Sequence, residues 1–65
     1  MSLTDLVAHL RRWLSDPIAQ PKAYYARYLD QATRLTDTEI ADIIRFAKTT
    51  RGAQMALVHH IRSQA

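Results

Sequence analysis

The chain has no cysteine, one glycine, two prolines and one tryptophan in 65 residues. Without cysteine there is neither a disulfide framework nor a thiolate metal site, and a reducing compartment is expected. So few glycines and prolines exclude a fold of many short strands, which needs frequent turn residues. Long hydrophobic runs are missing as well; none approaches the ~20 residues that span a bilayer. The opening MSLTDLVAHL carries an aspartate where a secretory leader needs a basic cluster, and its apolar residues recur periodically. A cytoplasmic location and no membrane contact are therefore expected. Charge of one sign is scarce too: nine Lys and Arg against six Asp and Glu leave a formal +3 with neutral histidines. That surplus suits attraction to nucleic acid or to an acidic protein surface and does not choose between them.

What is present is apolar: 48% of the residues are hydrophobic, too many for a disordered chain. At this length the chain is near the lower limit for folding without disulfides or metal. A single helical domain over residues 1–65 is expected, all-α, a small bundle of four short helices at about 3–15, 21–35, 37–49 and 52–63.

Each helix has its own signals. Ser2 caps the first, with Asp5 favouring the positive end of the helix dipole. Leu3, Leu6, Val7, Leu10, Trp13 and Leu14 then fall within an arc of about 120°, opposite Asp5, Arg11 and Arg12. Asp16-Pro17 ends that helix, and Pro21 suits the first turn of the next. Tyr25, Tyr28, Leu29, Ala32 and Leu35 share one face, which Ile18 and Pro21 extend backwards. In LTDTEI, Thr36 and Glu39 form a capping box and Leu35 and Ile40 a hydrophobic staple, so a third helix starts at Asp37. Ile40, Ile43, Ile44 and Ala47 are its buried stripe; Phe46 lies off it. Gly52 marks the next break. In the last helix Ala53, Ala56, Leu57 and Ile61 face the core while Met55 and Val58 point elsewhere.

Chemistry does not converge anywhere. His59 and His60 are neighbours and diverge by about 100° on a helix, and no HExxH or His-x3-His spacing brings in His9. No metal or cofactor is expected. There is no nucleophile elbow and no glycine-rich phosphate loop, and Asp5, Asp16, Asp37 and Glu39 stand at helix starts or boundaries where dipole and capping account for them. Catalysis is therefore not expected. The cluster YYARY offers base-stacking rings beside Lys22 and Arg27, but Tyr25 and Tyr28 keep core spacing.

LTDTEIADIIRFA, residues 35–47, resembles the C-terminal helix of class I cytochromes c. The chain lacks Cys-x-x-Cys-His, so the likeness is that of a well-capped amphipathic helix and implies no haem.

Two function classes remain. In the first, Phe46, Met55, Val58 and His59 form a partner or dimer interface, rimmed by Arg45, Arg51 and Arg62. A small, non-enzymatic regulatory protein is then expected, a homodimer that masks a host regulator or enzyme. By size and composition it resembles the accessory inhibitors encoded by phages and plasmids. In the second, residues 37–62 are a helix-turn-helix that binds DNA through Arg45, Arg51, Gln54 and Arg62. There Met55 and Val58 stand where base-edge donors are wanted, and Arg45, four residues after Ala41, stands where a tight motif carries glycine.

Overall fold

The structure is a computed structural model that describes residues 2–64. It is all-helical among those residues: α1 Leu3–Leu14, α2 Lys22–Arg34, α3 Asp37–Ile44 and α4 Thr50–Ser63. α1 packs on α2 and α3, and α4 lies mainly along α3. The helices enclose a core of Val7, Leu10 and Leu14 from α1, Tyr28, Ala32 and Leu35 from the second segment, Ile40 and Ile44 from α3, and Ala53, Leu57, Val58 and Ile61 from α4.

Two helix starts follow the sequence closely. Ser2 Oγ accepts from the Asp5 amide at 3.1 Å. At α3 both bonds of the capping box form, Glu39 N–H to Thr36 Oγ1 at 3.1 Å and Thr36 N–H to the Glu39 carboxylate at 3.0 Å. Two of the four orphan donors at that end are thereby satisfied.

The α3–α4 connection corrects the predicted boundaries. The third helix ends at Ile44 and not at 49, and the fourth begins at Thr50 and not at 52. The cause is Thr49, whose backbone is extended (φ −137°, ψ 159°) and whose Oγ1 accepts from the Gly52 amide at 2.9 Å. Thr49 is thus an N-cap, and Gly52 is the third residue of α4 without a positive φ. Its glycine character serves proximity: a Cβ there would stand 3.1 Å from Thr49 Oγ1.

Three other expectations change. Arg11, read as an outer-face residue, reaches across the bundle. Its guanidinium donates to the Ala32 carbonyl, to the Leu35 carbonyl at 3.0 Å and to the Asp37 carboxylate at 2.6 Å. One side chain of α1 thereby closes the end of α2 onto the start of α3. Ile18, expected to extend the buried face of α2, is 94% exposed, because the Asp16 carboxylate accepts from its amide at 2.9 Å and turns the linker outward. Gln20 is buried instead and donates to the Trp13 carbonyl at 2.8 Å, while the Tyr25 hydroxyl donates to that of Ser15 at 3.2 Å. Leu29 also stays partly in solvent. No buried side-chain polar atom among the described residues lacks a partner.

A candidate interaction surface at the turn between α3 and α4

The turn 45–49 carries the most exposed apolar ring of the bundle. Phe46 is 87% exposed, and it lies beyond the end of α3. Arg45 covers one of its faces, with the guanidinium carbon 5.4 Å from the ring centroid, and also pairs with Asp42 at 3.8 Å. On α4, Met55 is 57% exposed, and Arg51 and His59, one turn to either side of it, are exposed too. Arg51, Met55 and His59 follow at spacings of four and so form one outward stripe.

Of the residues predicted for this surface, Val58 is buried, Gln54 is half-buried, and Arg62 is exposed with its guanidinium engaged by α2. Val58 is a core residue, 8% exposed. It precedes Ile61 by three positions and shares its side of the helix, so the buried arc of α4 is rotated toward Val58, leaving Ala56 half-buried. Gln54 is half-buried on the flank of the same arc. Arg62 is committed to α2: its Nε donates to the Tyr28 hydroxyl at 2.8 Å and its guanidinium lies 4.4 Å from the Tyr24 ring centroid. Tyr24 and Tyr28 are themselves stacked, centroids 5.9 Å apart. Tyr28 is buried, and the exposed Tyr24 has its ring set against Tyr28 and the Arg62 guanidinium.

A feature the sequence reading missed adjoins the turn. Leu6 of α1 and Ala47, Lys48, Thr49 and Thr50 line an open groove of about 250 Å³. Running the third helix on to residue 49 had concealed it. The available signal was the pair Thr49-Thr50 before Arg51-Gly52, which offers a cap within the supposed helix.

Glu39 is held below its ordinary value by the bonds it receives from the backbone and then the side chain of Thr36. His60 is half-buried with its Nε2 3.0 Å from the Gln64 amide nitrogen, His9 is half-buried, and His59 is exposed. No three metal-ligating side chains gather among the described residues, and no helix there is long and apolar enough to cross a membrane. In comparisons with known proteins, no family model, no curated protein and no solved structure matches this chain.

Proposed function

We propose that the protein acts by occupying a surface of another macromolecule and not by catalysis. On this reading it is a small cytoplasmic regulatory protein that works as a homodimer through the Met55 side of α4 and offers the Phe46 turn to a protein target, whose surface it masks. The inhibitors of phages and plasmids are its nearest functional analogy. Phe46 carries the reading: an aromatic ring left in water, with its face against an arginine, has little to do within the fold and is a typical anchor of protein–protein contacts. Met55 adds an adaptable apolar contact, and a 65-residue core gains stability when a second copy covers part of it.

A second reading, a DNA-binding helix-turn-helix regulator, is favoured by the order of α3, a short turn and α4, with Arg45, Lys48 and Arg51 exposed around the turn. Against it, Gln54 is half-buried and the Arg62 guanidinium is engaged by Tyr28 and Tyr24, while the outward stripe presents Met55 where a base-edge donor is wanted.

The test combines light scattering with affinity capture from lysate, with and without nuclease, for the wild type, Phe46→Asp and Met55→Asp. Loss of the dimer in Met55→Asp, and of a nuclease-resistant protein partner in Phe46→Asp, supports occupancy. Recovery of DNA alone, released by salt, moves the assignment to the second reading.

A further inference from the structure

From the groove beside the turn we infer that the target is met through an acidic segment of a protein bearing one bulky apolar side chain, which seats between Leu6 and Ala47 while Lys48 and Arg51 face the segment's carboxylates. The inference rests on the occupancy reading and specifies the partner. Its first support is size. The groove holds about 250 Å³, below the roughly 300–1,000 Å³ of small-molecule pockets, and Leu6 and Ala47 give it an apolar part beside Lys48, Thr49 and Thr50, so it fits one side chain with polar neighbours better than a metabolite. Exposed Phe46 precedes the lining residue Ala47 in the same turn.

The second support is charge. Nearly every acid of the described chain is already engaged: Asp16 with the Ile18 amide, Asp30 with Arg34, Asp37 with Arg11, Asp42 with Arg45, and Glu39 in its capping box. Asp5 remains, in the first turn of α1 where it serves that helix start. Lys48 and Arg51 make no ion pair among the described residues. Lys48 lines the groove and Arg51 follows its last lining residue, so the rim has an uncompensated positive charge that an acidic segment would complement. A second copy of this chain would bring the same positive rim against itself. Duplex DNA would supply negative charge but no aliphatic or aromatic side chain to set against Leu6 and Ala47.

The test uses the full chain and a short synthetic peptide with one phenylalanine among aspartates. Controls replace that phenylalanine with alanine or the aspartates with lysines, and a random-sequence DNA duplex is tested in parallel. The expected result is saturable binding of the first peptide, with amide shift changes centred on Leu6, Ala47, Lys48, Thr49 and Thr50. Affinity should fall about tenfold with the alanine peptide, and about fivefold or more in the Lys48→Glu/Arg51→Glu variant, whose unchanged circular dichroism confirms folding. No binding by the first peptide, equal binding of the lysine peptide, shifts centred elsewhere, or DNA moving these amides where the peptide does not, overturns the inference. Partner capture that depends on Phe46 but ignores the Lys48→Glu/Arg51→Glu change removes this inference alone. Normal self-association and capture in Phe46→Asp and Met55→Asp remove the function reading itself.

Discussion

At the scale of single residues, Arg11 shows how long side chains escape pattern reading. Read as an outer-face residue, it stands four positions after Val7 on the flank of the apolar stripe, half-buried, and its flexible stem carries the guanidinium to carbonyls more than twenty positions away in sequence. Its bonds also differ in worth. Asp37 is 81% exposed at the side chain, so the ion pair contributes about 0–1 kcal/mol. The carbonyls of Ala32 and Leu35 are orphan acceptors at the end of α2, and leaving part-buried acceptors unmet costs about 1–3 kcal/mol. Arg11→Met, which keeps the stem, is therefore expected to lower unfolding free energy by about that amount in urea titrations. Asp37→Asn should cost less than about 1 kcal/mol. Equal losses in the two variants would show that the ion pair, and not the carbonyl clamp, is what matters.

At the scale of elements, the starts of α1 and α3 were legible because capping is local chemistry: Ser2, Thr36 and Glu39 act on amides within three residues of themselves. The start of α4 was misread because a glycine draws attention as a helix stop, while here it leaves room for a threonine cap. This has a sharp consequence. Thr49→Ala should cost about 0.5–2 kcal/mol as a lost N-cap. Gly52→Ala gains up to about 1 kcal/mol of helix propensity but crowds Thr49 Oγ1, so in the wild type the gain should be cancelled. In the Thr49→Ala background the crowding atom is gone and Gly52→Ala should stabilise. A double-mutant cycle by thermal melting reads the difference, and strict additivity would show that Gly52 has no bearing on the cap. The capping box at α3 gives a pH signature. The folded value of Glu39 is lowered from 4.5 by its bonds with Thr36, so its stabilisation is fully present above that value and is lost as pH falls through the lowered one. Glu39→Gln keeps a box-compatible amide without the charge. It should flatten this part of the acid limb in pH-dependent melting, and an unchanged limb would refute the assignment.

At the scale of the whole molecule, fold class and core were written in the periodicity of Leu10, Leu14, Ile40, Ile44 and Leu57, all essentially buried. The candidate surface was only partly so. Phe46 and Met55 fail to fit a stripe and are exposed; Val58 fails to fit one and is buried, because α4 meets the bundle along an arc whose direction depends on where its neighbours lie. A helix that is apolar on more than one side does not announce which side the protein keeps. Substitution separates the two classes cleanly. Val58→Asp places a charge among Leu57, Ile61 and the rest of the core and should unfold the chain, or cost more than about 4 kcal/mol, since an unpaired charge there has no solvent. Phe46→Asp and Met55→Asp should change stability by less than about 0.5 kcal/mol, as expected for exposed positions, while removing partner capture or self-association. Urea titration measured beside the binding assay tests both halves. A large stability loss in Phe46→Asp would mean that its ring serves the fold through Arg45, and the turn would then be a structural corner and not an offered surface.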